Sequence, residues 1–390
     1  MKKDTKLSHL GRTPVNDPLT VNVPLHRAST VLFESMAHQR QMQRRWDRDE
    51  QVPTYGIFNM PQALALENAV AEIEGAGPGG RAVTYSSGLG AVAGALLACT
   101  KTGDHVLMPD SCYFPGRRFA EQFLARFGVT TTFYDPLIGA NIGTLIQPNT
   151  TVVYTESPGS HTFEVQDIPA IARVAHYHGA RVIMDNAWAT GYFFNAFEHG
   201  VDLVVQPATK YYAGHSDVLL GLVIANEANW PLIKSTTYDL GQRASPDDCF
   251  LTLRGMRTLG VRLKRHQESA LVVAKWLQSR PEVKQVMYPA LESDPGFEIW
   301  NRDFTGAGGL FTIELNPCTD TQLAVMMDHY DLFGLGYSWG GYESLAVTAH
   351  IERTVRPLPA GPLVRYNIGL EDPEDLIRDL EAGFDRLKAG

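Results

Sequence analysis

Lys210 ends the run Gln206-Pro207-Ala208-Thr209-Lys210, directly after a β-rich stretch at 201–205. Asp185 closes a second such stretch, Val182-Ile183-Met184-Asp185. A third segment, RAVTYSSGLGAVAGALLAC at 81–99, reads as a strand, a small-residue turn and a helix. Backbone N–H groups at that helix start, with Ser86 and Ser87 beside them, form a cradle for a phosphate. Each feature has a plainer reading alone: Asp185 as a helix cap, Lys210 as a surface residue, the small residues as close helix–sheet packing. Gly88, Gly90 and Gly94 also spell GxGxxxG, a dinucleotide pattern for which Asp110 would be the acidic partner. Taken together, the three segments are the set that pyridoxal 5'-phosphate needs. A lysine forms a Schiff base with its aldehyde, a carboxylate keeps its ring nitrogen protonated, and a helix N-terminus takes its phosphate. A nicotinamide cofactor has no use for the lysine–aspartate pair.

The surrounding elements must bring these residues together. Strand-like runs at 81–85, 105–109, 129–134, 151–155, 181–185, 201–205 and 219–225 alternate with helical ones at 88–99, 115–127 and 168–178. That alternation predicts an α/β fold, a mostly parallel sheet with helices on both faces. Ligands of such sheets bind at the carboxyl ends of the strands. Ahead of the first strand, Leu66, Val70 and Ile73 recur at helical spacing, and Gly75-Ala76-Gly77-Pro78 stops the helix. From Leu251 one long helical stretch reaches about Arg280. Shorter strand-like runs at 283–288, 309–315, 345–348 and 365–370 follow it, with helices at 320–330 and from Pro373. This predicts a smaller C-terminal α+β domain hinged on the long helix. The first sixty residues differ, with Pro14, Pro18, Pro24 and Pro53, an extended piece at 30–33, and a polar run at 38–51 holding Arg40, Arg44, Arg45 and Arg48. They read as an N-terminal arm that wraps onto another surface and must bury Phe33, Trp46, Tyr55 and Phe58. The expected division is 1–60 arm, 61–255 cofactor-binding domain, 256–390 C-terminal domain.

Composition narrows the function classes. The chain has 390 residues, 44% hydrophobic and 20% charged, ample for a large core. Lys plus Arg total 34 against 43 Asp plus Glu, a net charge of -9, which argues against a nucleic-acid or anionic-membrane binder. The longest apolar run, 88–99, is about half a bilayer span, and the N-terminus carries no apolar signal core. Cys99, Cys112, Cys249 and Cys318 are scattered with no CxxC pair, and His176 and His178 lie only two apart, so no metal site is expected. The expectation is a cytoplasmic protein.

Nine motifs in order carry a resemblance: SSGLGAV (86–92), DPLIGANI (135–142), ESPGS (156–160), MDNAWATG (184–191), QPATKYYAGHSD (206–217), LRGMRTLGVRL (253–263), RDFTGAGGLF (302–311), YSWGGYESL (337–345) and VRYNIGLED (364–372). The sequence resembles the Cys/Met-metabolism (transsulfuration) family of pyridoxal-phosphate enzymes, from about Val21 to Leu387. The resemblance implies the aminotransferase-like fold (fold type I). It makes Lys210 the covalent anchor of the cofactor and catalytic base, with Tyr113 stacked on the ring and helping with proton transfer. Asp185 pairs with the ring nitrogen, and Gly88, Leu89 and Thr209 hold the phosphate. Tyr55 reaches the neighbouring subunit's cofactor and substrate, so the sites are shared in a homodimer, with a homotetramer implied. Arg365 clamps the substrate carboxylate, with Ser338 and Trp339 beside it. The SWGG motif resembles the branch that cleaves the Cβ–S bond of cystathionine or a similar cysteine thioether, releasing homocysteine or another thiol, pyruvate and ammonia. The γ-acting enzymes and racemases of the same family are the alternatives, and a catalytically weak binding or regulatory homologue is a third.

The chain departs from that pattern at four places. Ile57 stands where the family has an arginine for the phosphate, and Phe58 where a second arginine is common. Pro207 replaces a residue with an N–H. Arg117 and Arg118 open the helix after Tyr113, where their charge opposes the helix dipole. Either Glu121 pairs with them, or one of them meets an anion of cofactor or substrate. The expectation from Ile57 and Phe58 is weaker cofactor binding and a preference for substrates with a small or apolar group beyond sulfur.

Overall fold

The runs at 105–109 and 181–185 have wholly apolar interiors, Val106-Leu107-Met108 and Val182-Ile183-Met184, as strands covered on both faces must. In the computed structural model both lie inside one seven-stranded sheet. The structure describes residues 1–12, 20–349 and 351–389, so Pro14 and Pro18 of the arm lie outside the described residues. The strands are β1 (Arg81–Tyr85), β2 (His105–Pro109), β3 (Thr130–Tyr134), β4 (Thr150–Glu156), β5 (Arg181–Asp185), β6 (Leu203–Gln206) and β7 (Gly221–Ala225). Their order across the sheet is β1-β7-β6-β5-β4-β2-β3. Strands β2 to β6 pair in parallel, and β7 runs antiparallel to both β1 and β6.

Alternation along the strands divides the core. Val106 and Met108 share a buried cluster with Val92 and Leu96 of helix α4 (Gly88–Cys99), while Leu107 belongs to a second cluster with Leu66 and Val70 of helix α3 (Pro61–Glu74). That second cluster continues into a five-stranded sheet through Phe311, Ile313, Val364 and Tyr366. Its strands are β8 (Val283–Met287), β9 (Leu310–Leu315), β10 (Gly334–Leu335), β11 (Leu345–Thr348) and β12 (Leu363–Asn367), ordered β10-β11-β12-β9-β8. The two sheets therefore share apolar packing.

Three expectations need correction. The single long helix is two, Pro246–Met256 and Leu259–Gln278. The break follows Gly255, which lies so close to the lysine loop that a Cβ there would come within 2.1 Å of the Ala213 carbonyl oxygen. The helix expected at 115–127 is α-helical only over Phe114–Arg118, then widens to a π turn and tightens to a 3-10 turn. The arm contains two helices that its composition did not announce, α1 (Lys3–His9) and α2 (Met36–Asp47). Ser35 caps α2 by accepting from the His38 N–H at 3.1 Å. None of its residues is buried, which is why no apolar period marks it.

Candidate active site

The parallel strands end where the sequence places its chemistry. β5 ends on Asp185, and β6 leads through Pro207 to Lys210. The β1–α4 turn adds Ser87, whose side chain caps α4 by accepting from the Gly90 N–H at 3.0 Å. Gly88 and Leu89, first in the helix, have no intrahelical acceptor for their N–H groups and are free to bind an anion. A Cβ at Gly88 would lie 2.7 Å from Cβ of Pro207, so this cradle closes directly onto the lysine loop. Thr209 is already engaged: its hydroxyl accepts from the Leu220 N–H at 2.9 Å and donates to the Leu220 carbonyl at 3.3 Å. It can reach a phosphate only by giving up the longer bond.

Lys210 Nζ donates to Ser338 Oγ at 2.6 Å and sits 5.3 Å from the Trp339 ring centre. Arg365, from β12, donates to the Ser338 carbonyl at 3.2 Å. Ser338 and Trp339 thus hold the lysine, and Ser338 does so from a left-handed backbone with φ 83, the kind of strain that clusters at functional sites. Burial pushes the Lys210 amine down to about 8, with the Arg365 charge adding and Asp185 opposing. At pH 7 roughly one amine in ten is then neutral, against about one in 2,500 for an ordinary lysine. The rate at which cofactor-free enzyme captures added pyridoxal phosphate should therefore climb about tenfold per pH unit and level off near pH 8. Stopped-flow absorbance would show this; a rate still climbing steeply above pH 9 would mean an ordinary lysine.

Asp185 is 7% exposed. Its Oδ1 accepts from the Ala187 N–H at 3.0 Å. Beside it, in register on β4, stands Glu156, which sequence reasoning passed over. Glu156 Oε2 accepts from the Tyr113 N–H at 2.7 Å and so fixes the segment that presents the Tyr113 ring. Burial and the Asp185 charge push Glu156 well above the carboxylate range. Burial also raises Asp185, opposed by the Ala187 N–H, the Lys210 charge and the Tyr154 hydroxyl. Glu156 could have been found by the signal that marked Asp185, a carboxylate ending a buried strand. The Tyr113 ring is 43% exposed, an open aromatic face above the strand ends. Burial of its hydroxyl, with Asp185 and Glu156 adding, keeps it a phenol.

Tyr55 stands apart. It is 54% exposed and makes none of the contacts joining the other site residues within this chain. Phe58 turns inward and packs against Trp46 and Tyr238.

Arg117 corrects the idea of an anion-binding helix start. It is 2% exposed, pairs with Asp110 at 3.1 Å and Glu121 at 3.5 Å, and its guanidinium lies 3.7 Å from the Phe133 ring centre. Arg118 donates instead to the Gln122 side chain at 3.3 Å. Asp110 is likewise no dinucleotide residue. It accepts from the N–H groups of Thr354, Val355 and Arg356 at 2.8, 3.0 and 2.9 Å. Arg353 pairs with Glu164 at 2.7 Å, and Arg356 with both oxygens of Asp135 at 3.1 Å, so 353–356 is bound to the large sheet's loops through three carboxylates. Burial works to raise the Asp110 pKa, but those N–H groups and Arg117 outweigh it and lower it. A depressed carboxylate adds stability above its unfolded pKa and loses it as pH falls through the folded value. Asp110→Ala, which removes the buried carboxylate partner of Arg117 and the acceptor of three backbone N–H groups, should cost about 3–5 kcal/mol in urea unfolding at pH 7. The deficit should shrink below pH 4, and equal stability of variant and parent at pH 7 would refute the strap.

The parts fit the cofactor: a desolvated lysine, a buried carboxylate, an open aromatic face and a free helix N-terminus meet at the carboxyl ends of a parallel sheet. That combination defines a pyridoxal-phosphate-dependent enzyme of the aminotransferase-like fold. The chain belongs to the Cys/Met metabolism PLP-dependent enzyme family, which matches it over residues 4–385. It is 42% identical to the cystathionine beta-lyase of Haemophilus influenzae over 98% of each chain, and 42% identical to that of Escherichia coli strain K12 over 99% of each. A crystal structure of cystathionine gamma synthase from Xanthomonas oryzae pv. oryzae, in complex with aminoacrylate and cysteine, superposes with a TM-score of 0.90 at 28% identity, covering 100% of this chain and 99% of that one. Among the described residues, no helix is long and apolar enough to cross a membrane, and no group of three or more His, Cys, Asp or Glu could hold a metal ion.

Proposed function

We propose that this protein is a pyridoxal-phosphate-dependent carbon–sulfur β-lyase acting on cystathionine or a similar cysteine thioether. The observation that carries the reading is Lys210, a partly neutral amine held by Ser338 and Trp339 between Asp185 and Arg365. Arg365 takes the substrate α-carboxylate through its fork of donors, a geometry suited to bidentate binding. Gly88 and Leu89 would hold the phosphate through their N–H groups, and Asp185 would supply the carboxylate for the ring nitrogen. Bound pyridoxal phosphate supplies a carbonyl for the substrate amine and a ring that accepts the electron pair released at Cα. Lys210 takes the Cα proton, as a lysine with a lowered pKa can near neutral pH. Tyr113, still a phenol, gives a proton to the departing sulfur. One water is consumed overall, and a thiol, pyruvate and ammonia leave.

Purified holoenzyme given cystathionine should release pyruvate and homocysteine in equal amounts. Release of 2-oxobutyrate and cysteine would place it with the γ-acting enzymes, and inversion of an amino acid without cleavage with the racemases. S-alkyl cysteines in the same assay test the preference expected from Ile57 and Phe58. The exposed Tyr55 supports a homodimer with shared sites, and the family resemblance extends this reading to a tetramer in the cytoplasm; a fully active monomer in sedimentation would exclude the shared site.

A further inference from the structure

Glu74, the last residue of α3, is completely buried, yet no cation pairs with it among the described residues. Four donors converge on its carboxylate instead. Oε1 accepts from the Gly191 N–H at 2.9 Å, Gln206 Nε2 at 2.9 Å and the Tyr212 hydroxyl at 2.6 Å, and Oε2 accepts from Asn186 Nδ2 at 3.0 Å. The positions of these donors matter more than their number. Asn186 directly follows Asp185. Gln206 closes β6 four residues before Lys210, and Tyr212 comes two residues after it. One carboxylate thus grips the chain on both sides of the lysine and at the residue bonded to the aspartate.

Gln206 Nε2 also donates to the Asn186 carbonyl at 3.1 Å, and the Asn186 N–H donates to the carbonyl of Val205, the residue before Gln206, at 3.1 Å. The Gly191 turn is braced from outside by Lys3 of α1, which donates to the carbonyls of Gly191 and Tyr192 at 2.7 and 2.8 Å. The donors of this network are all engaged, although Asn186 Oδ1 and Gln206 Oε1 find no partner, and displacing the carboxylate would leave several buried N–H and O–H groups unpaired as well.

We infer that Glu74 is a positioning residue for the reaction, setting the separation and orientation of Asp185 and Lys210 from behind the sheet. This rests on the proposed roles of Asp185 and Lys210. A carboxylate can accept from all four donors at once, whereas an amide of the same shape turns its NH2 against the Asn186 donor in one orientation and against the other three donors in the other. Glu74→Gln keeps the volume and breaks the junction.

The test compares holoenzymes at saturating pyridoxal phosphate. Glu74→Gln should keep the parent's secondary structure and KM within about twofold. Its kcat should fall roughly ten- to thirtyfold, and the visible circular dichroism of the bound cofactor should change as the ring reorients. Tyr212→Phe, which removes one donor only, should lower kcat about threefold with a smaller change of the same sign, and it decides the matter if Glu74→Gln does not fold. A lowered melting temperature with unchanged kcat and unchanged cofactor dichroism would make Glu74 a mere fold stabiliser and overturn the inference. A parent protein that binds no pyridoxal phosphate would overturn the reading of the site itself, which is a different result.

Discussion

Lys210→Ala should carry no measurable lyase turnover, a loss of at least about 10³-fold, since proton transfer by a placed base alone contributes roughly 10²–10⁴. The amine has three engagements in the structure, the bond to Ser338, the Trp339 ring and the opposed charges of Arg365 and Asp185. A methyl group reproduces none of them. The variant should also lose the borohydride-stable bond to the cofactor, which peptide mass spectrometry locates in the parent. Finding the reduced pyridoxyl group on another lysine of the parent would end the assignment. Added methylamine should restore part of the activity if the missing group is an amine and the pocket is otherwise intact.

The second large effect is expected from Asp185→Asn. The substitution keeps the shape of a side chain buried between the Ala187 N–H and the Tyr154 hydroxyl but removes its charge. Without that charge, nothing directly holds a proton on the ring nitrogen, and the electron pair released at Cα is poorly accommodated. Losing one preorganised electrostatic partner typically costs about 10²–10³ in rate, so kcat/KM should fall by that factor while the cofactor stays bound through Lys210 and the phosphate cradle. Glu156 is the complication. With its charged neighbour gone it ionises more readily, so Asp185→Asn with Glu156→Gln should be worse than Asp185→Asn alone. A single variant within about threefold of the parent's kcat/KM would show that Asp185 does not do this work.

Much of this was legible in the sequence because local features encode it directly. Lys210, Asp185 and the 81–99 segment each follow from a strand ending or a turn, and the apolar runs give the parallel sheet. The residues that were missed depend on contacts distant along the chain. Glu74 looks like one more polar residue at a helix end until Asn186, Gln206 and Tyr212 close on it. Glu156 gains meaning only because β4 and β5 lie side by side. For Arg117 the Glu121 pairing could be read from the i,i+4 spacing, and the structure bears it out, while the buried partner Asp110 is brought to it by the turn between them. Phe58 marks the opposite limit. Substitution of a polar position is visible in the sequence, but its inward turn onto Trp46 and Tyr238 is a matter of tertiary packing. Helix α2 was obscured for a simple reason: none of its residues is buried, and only His38, Met42 and Trp46 are half-covered, a stripe too thin among polar residues to leave a clear period.

The attachment of 353–356 to Asp110, Asp135 and Glu164 has a mechanical consequence. The segment leads directly toward β12, which carries Arg365, while Asp110 is three residues ahead of Tyr113. Many two-domain enzymes gather substrate by swinging one lobe against the other, with loops as the compliant joint. Here the joint is riveted: three successive backbone amides end on one buried carboxylate, and two arginines fasten the same stretch from either side. Arg365 and Tyr113 are thereby tied into a single frame. A frame of this kind favours a substrate that fits its fixed spacing over one that needs the two lobes to move.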